Sequence, residues 1–215
     1  MNIDLREFLN ILGNKINSNG LKIVMIRNYD KLPFELSGND IDIIVNESDI
    51  NIWIESLEAV CNELGLKLLI DRKLDYCYKT TIHNDNFRLE LDLNFKLCWK
   101  GVKFFDTYEL INNATLHEWP IWKGQEYESA YVTFHHSFLY GGFINKKYTC
   151  MYEVLLESKN IGRFRSDLNK IMPSIATFYL ERKIKSGDFN LSRFTSNFIR
   201  VQVILKNKVR NLCSK

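Results

Sequence analysis

Residues 38–45 read Gly38-Asn39-Asp40-Ile41-Asp42-Ile43-Ile44-Val45. Side chains two apart on a strand share a face, so Asp40 and Asp42 project side by side while Ile41, Ile43 and Val45 point to the core. Two carboxylates at the mouth of an apolar strand repel each other and call for a cation, and hard divalent ions such as Mg²⁺ take oxygen ligands of this kind. A second stretch repeats the alternation, with Arg88, Glu90, Asp92 and Asn94 on one face and Leu89, Leu91, Leu93 and Phe95 on the other. If the two strands are neighbours, Asp92 or Glu90 completes a carboxylate triad; Leu91 and Leu93 set Asp92 in a buried strand and favour it. Three carboxylates around two Mg²⁺ ions, with Mn²⁺ as the alternative, suit in-line phosphoryl or nucleotidyl displacement.

Working outward, Leu5, Phe8, Leu9, Leu12 and Ile16 recur at helical spacing, and Asn17-Ser18-Asn19-Gly20 breaks the pattern. Leu21–Ile26 suits a buried strand, and residues 27–39, holding Pro33 and Gly38, read as a loop. Ser48 or Asn46 is placed to cap a helix that runs to about Leu64 and stops at Gly65. Strands over 67–70, 76–82 and 87–95 follow, with Asn84-Asp85-Asn86 as a turn. From about Glu126 helical periods take over, over 126–140, 148–158, 166–181 and 191–212. The pattern predicts an α+β chain: a mixed sheet flanked by helices over residues 1–124, then a helical region over 125–215 packed on it and ending in a basic helix.

The 215 residues are 46% hydrophobic and 26% charged with only 10 Gly and 3 Pro, which excludes collagenous, low-complexity and mostly disordered chains. No apolar run approaches the roughly 20 residues of a membrane span, and Met1-Asn2-Ile3-Asp4-Leu5-Arg6 lacks a signal peptide's basic cap and apolar middle. A cytoplasmic location is expected. Cys61, Cys77, Cys98, Cys150 and Cys213 are odd in number and scattered, and read as reduced thiols. From residue 181 onward nine Lys/Arg face only Glu181 and Asp188, so the tail is basic and residues 1–180 are net acidic. That balance argues against a nucleic-acid partner for the body of the chain. In the tail, Leu191, Phe194, Phe198, Val201, Leu205, Val209 and Leu212 recur at three and four residues with bases between. This amphipathic helix either docks on the body or makes peripheral contact with an anionic membrane.

Arg27-Asn28-Tyr29, Leu32-Pro33, residues 38–42, and Leu91-Asp92-Leu93 through Trp99-Lys100-Gly101 resemble the DNA polymerase β-like nucleotidyltransferase superfamily. More narrowly they are similar to nucleotidyltransferase-like proteins of bacterial surface-polysaccharide gene clusters, over roughly residues 20–145. The resemblance implies a Mg²⁺-dependent transfer of a nucleoside monophosphate from an NTP to a small acceptor, a sugar phosphate or another surface-glycan precursor. In it Asp40 and Asp42 hold both metals, and Asp92 binds the catalytic one and helps deprotonate the acceptor hydroxyl. Where the superfamily carries a Gly-Gly/Ser pair to cradle the triphosphate, this chain has Arg27-Asn28. Arg27 is read either as a forked phosphate contact or as an ion-pair partner of Asp40 or Asp42. Ser37-Gly38 supplies a hydroxyl and a close backbone approach, and Tyr29 is placed for base stacking or plain packing. Secondary candidates are Glu90, Lys96, Lys100 and His136. Two other readings stand beside the enzyme: a degenerate fold that binds or scaffolds without catalysis, and, third, the transferase half of a toxin–antitoxin pair.

Overall fold

A computed structural model describes residues 3–213. Met1, Asn2, Ser214 and Lys215, which include the start of the chain and the last base of the tail, lie outside the described residues, as does the side chain of Cys213. The chain is α+β and clusters into two compact units, residues 1–97 with 106–125 and residues 98–105 with 126–215. Segment 98–105 groups with the second unit, whereas the sequence pattern predicts it within residues 1–124.

The first unit opens with α1 (Leu5–Ser18), whose N-cap Asp4 accepts a hydrogen bond from the Glu7 amide at 2.7 Å. Strands β1 (Ile23–Met25) and β2 (Asp40–Ile44) follow, then α2 (Ile50–Leu64). Neither Ser48 nor Asn46 caps α2: a 3-10 turn over Glu47–Asp49 leads in, and Asp49 takes the cap position with no side-chain capping bond to the helix. The helix does end at Gly65, in the left-handed conformation at φ 65°, with the Leu66 amide donating to Cys61 O at 2.8 Å. Strands β3 (Lys67–Lys73), β4 (Cys77–His83) and β5 (Arg88–Asn94) form an antiparallel meander, its second turn held by Asn84, whose side chain accepts from the amides of Asn86 and Phe87.

Three elements between residues 107 and 123 carry no periodicity in the sequence: α3 (Thr107–Asn113), β8 (Thr115–Glu118) and β9 (Ile121–Lys123). The sheet runs β3-β4-β5-β2-β1-β9-β8, with β2/β5 and β1/β9 parallel and the other pairs antiparallel. Ile41, Ile43, Leu89, Leu91 and Leu93 turn to one face, where Phe8, Leu12 and Ile16 of α1 and Trp53, Leu57 and Val60 of α2 complete the core. Packing at the α1 end is tight: a methyl on Gly13 would stand 2.1 Å from Pro120 Cβ. Ala is ordinarily the better helix former by roughly 1 kcal/mol. Gly13→Ala is nonetheless expected to destabilise the protein by about 1–3 kcal/mol, read as a lower urea midpoint.

The second unit holds a two-strand hairpin, β6 (Cys98–Trp99) and β7 (Val102–Lys103), turned by Lys100 and Gly101 at φ 49° and 80°. Both positive angles are what a tight type I′ turn requires. Its helices are α4 (Glu126–His135), continuing as a π-helical turn over His136–Gly141, α5 (Thr149–Leu156), α6 (Ile161–Ile171), α7 (Ser174–Lys185) and α8 (Arg193–Cys213). The single helix expected over 166–181 is two, because Pro173 lacks an amide donor and drives Met172 to an extended φ of −132°. Phe134, Phe138, Tyr152 and Phe164 form the aromatic centre of this core. Helix α8 docks by Ser196, Ile199 and Val203, not by the long apolar stripe that the sequence displays.

Candidate metal centre

Parallel pairing of β2 with β5 sets Asp42 directly across from Asp92 and Asp40 across from Glu90. All four side chains lie on the face opposite the α1/α2 core, as strand alternation demands. Carboxylate oxygens of Asp40, Asp42 and Asp92 lie within 4.8 Å of one another, a group able to hold a metal ion. Glu90 stays outside it, its side chain 45% exposed and paired with Arg88 at 2.9 Å. Asp92 rather than Glu90 is therefore the third carboxylate of the cluster.

Two basic side chains stabilise the carboxylates. Arg27 donates to Asp42 Oδ2 from Nε at 3.0 Å and from Nη2 at 2.6 Å, and Asn94 donates to Asp42 Oδ1 at 3.3 Å. Lys79 forms an ion pair with Asp92 Oδ2. Among the described residues Asp40 makes no ion pair. Burial, then the neighbouring Asp42 charge, raises the Asp40 carboxyl above its ordinary range. Burial likewise raises Asp92, and the Lys79 contact offsets only part of it. Burial works against the charged Lys79, but the Asp92 hydrogen bond and charge outweigh it and raise the ammonium. A half-buried group of three acids with two cations keeps an unneutralised negative charge, so the donor set fits a hard divalent ion. Asp40, Glu90 and Asp92, with Arg72, Lys79 and Arg88, line a cavity of about 260 Å³ beside the cluster.

No motif in the sequence singles out Lys79, yet the hairpin register gives its position. A hairpin turning at Asn84–Asn86 that pairs His83 with Arg88 pairs Thr81 with Glu90 and Lys79 with Asp92.

The other expected site residues fall in three places. Arg27, Asn28, Ser37 and Gly38 come together at the head of β2: Asn28 takes a left-handed φ of 60°, and its Nδ2 would stand 3.9 Å from a methyl built on Gly38. Tyr29 meets the His117 ring edge-on at 5.1 Å. Lys96, just beyond β5, pairs with Glu47 at 2.6 Å. Lys100 and His136 belong to the second unit, Lys100 with its ammonium 5.2 Å over the Trp99 ring and His136 stacked on Tyr140 at 4.9 Å. The neighbouring His135 is the histidine that turns into the core. Cys61, Cys77 and Cys150 are free thiols, with burial raising Cys77 to about 12. Among the described residues no helix is long and apolar enough to cross a membrane.

No family model, curated protein or solved structure matches the chain.

Proposed function

We propose that this protein is a divalent-metal-dependent nucleotidyltransferase that moves a nucleoside monophosphate from an NTP to a small acceptor, a sugar phosphate or another surface-glycan precursor. The observation that carries the reading is the β2/β5 register, which sets Asp42 across from Asp92 with Asp40 on the same face. Mg²⁺ is the expected ion and Mn²⁺ its substitute, held as a pair by Asp40, Asp42 and Asp92. When bound, such ions neutralise the triphosphate, lower the pKa of the attacking oxygen and stabilise the leaving pyrophosphate. Asp92 takes the proton of the acceptor hydroxyl, while Arg27 orients Asp42. The Ser37 hydroxyl and the Gly38 backbone, close to Asn28, contact the phosphates. Positioning and electrostatics supply most of the acceleration.

A second reading has its own observation. Arg27 on Asp42 and Lys79 on Asp92 already partner two of the three carboxylates, as a nucleotide- or glycan-binding scaffold without metal would need. Calorimetric titration of the four NTPs with and without Mg²⁺, on the wild type and on Asp42→Ala, separates the two. The enzyme reading expects one NTP to bind at least ~10-fold more tightly with Mg²⁺ and the gain to vanish in the variant. Binding indifferent to Mg²⁺ would transfer the site to the scaffold, and no binding at millimolar nucleotide with the fold intact would sink the enzyme reading and leave a glycan-binding scaffold.

A further inference from the structure

Helix α8 has two apolar faces. Ser196, Ile199 and Val203 are buried, the Ser196 hydroxyl donates to Gly142 O at 2.6 Å, and the Lys206 ammonium donates to Met172 O at 2.9 Å and to Asn169 O. At ~100° per residue, Phe194, Phe198, Val201, Leu205, Val209 and Leu212 fall within an arc of ~80° on nearly the opposite side. These six are between 51% and 81% exposed. Single exposed hydrophobes are ordinary on a protein surface, but six aligned along one 21-residue helix are a contact surface. The docked face holds the helix in place, so the stripe is presented outward as a ready ridge about 27 Å long.

Charge selects what covers it. Helix α8 contains Arg193, Arg200, Lys206, Lys208 and Arg210 and no acidic residue. Arg193, Lys208 and Arg210 are exposed, and Lys208 lies ~60° from the centre of the stripe, close enough for its ammonium to reach outward past the apolar side chains. A second copy of the helix would match the three-and-four spacing but has no carboxylate to offer Lys208, the base that flanks the stripe. Nucleic acid would satisfy the bases and leave the Phe, Val and Leu side chains in water. An anionic phospholipid surface satisfies both, taking the stripe among its acyl chains and the bases at its headgroups. We infer that α8 is an interfacial helix that seats the protein on anionic bilayers, a property independent of the nucleotidyltransferase reading.

The test is flotation of the full chain with phosphatidylcholine vesicles and with phosphatidylcholine/phosphatidylglycerol vesicles at roughly 2:1. The wild type is expected to partition at least ~10-fold more strongly onto the anionic vesicles. Phe198→Glu/Leu205→Glu should weaken that partitioning by at least ~30-fold, because two large side chains no longer enter the bilayer. Arg193→Glu/Lys208→Glu should remove the preference for phosphatidylglycerol. All four side chains are exposed, and an unchanged circular-dichroism melt verifies that both variants fold. Absence of wild-type flotation on anionic vesicles, or equal flotation by Phe198→Glu/Leu205→Glu, would overturn the inference. So would a non-floating dimer that the same variant dissociates, which assigns the stripe to a second copy, or retention on single-stranded RNA in place of vesicles.

Discussion

Asp92→Asn is expected to lower the proposed nucleotidyl transfer by about 10²–10⁴-fold while leaving the protein as stable as the wild type or slightly more so. The two halves of that expectation have one cause. Burial raises the Asp92 carboxyl, so the folded protein holds this anion against its electrostatic preference. A neutral isostere relieves that cost. The ion pair it forfeits is with Lys79, whose side chain is 41% exposed, and such pairs contribute roughly 0–1 kcal/mol. The amide can no longer take a proton from an acceptor hydroxyl or complete the three-carboxylate group. Pyrophosphate release under single-turnover conditions, measured beside a thermal melt, separates these effects. Undiminished release removes Asp92 from the proposed chemistry, whereas a collapsed melt identifies it as structural. Metal affinity should also rise with pH across the titration of Asp40 and Asp92, because both raised carboxyls must lose their protons to act as ligands.

The carboxylate strands are legible because alternation is the strongest signal a half-buried strand carries. Ile41 and Ile43 against Asp40 and Asp42, and Leu91 and Leu93 against Glu90 and Asp92, declare face and burial without coordinates. Alternation does not say which strands are neighbours. β2 and β5 pair across an intervening α2, β3 and β4, and only the fold turns a conditional triad into a defined one. Register can be read when a short turn ties two strands that the pattern already reveals, which is why Lys79 is within reach; β8 and β9 share a two-residue turn but do not reveal themselves. Those strands have four and three residues, with Pro120 between them, too short for any period to emerge. Helix α8 shows the opposite limit. Its longest apolar stripe in sequence is its exposed one, because periodicity measures amphipathicity and is blind to which partner, protein or otherwise, takes each face.

Acid should destabilise the second unit through His135, by ~3 kcal/mol between pH 6.5 and pH 4. The ring is fully buried against Phe104 and Tyr131, its Nδ1 donates to Tyr131 O at 2.8 Å, and its Nε2 has no hydrogen-bond partner among the described residues. Burial lowers its pKa from 6.5 to about 4, against the opposing pull of the Tyr131 carbonyl and the Asp167 charge. Below pH 6.5 the unfolded chain therefore binds a proton that the folded chain refuses, and stability falls until the folded histidine titrates near pH 4. Other groups act in adjoining windows. Glu181, held down to about 2 first by the Arg165 hydrogen bond, adds stability that is lost as pH falls from 4.5 through 2. Asp40 and Asp92, raised by burial, act with the opposite sign, since the folded state takes up their protons first. His135→Phe isolates the histidine: those carboxylates are common to both proteins, and the ring contacts persist. Whatever the replacement costs at pH 7, the urea-derived stability gap between variant and wild type should move by ~3 kcal/mol in the variant's favour on going to pH 4. A gap that stays constant across that window would show that the folded protein accommodates the charged ring, and that the pocket around Nε2 admits water.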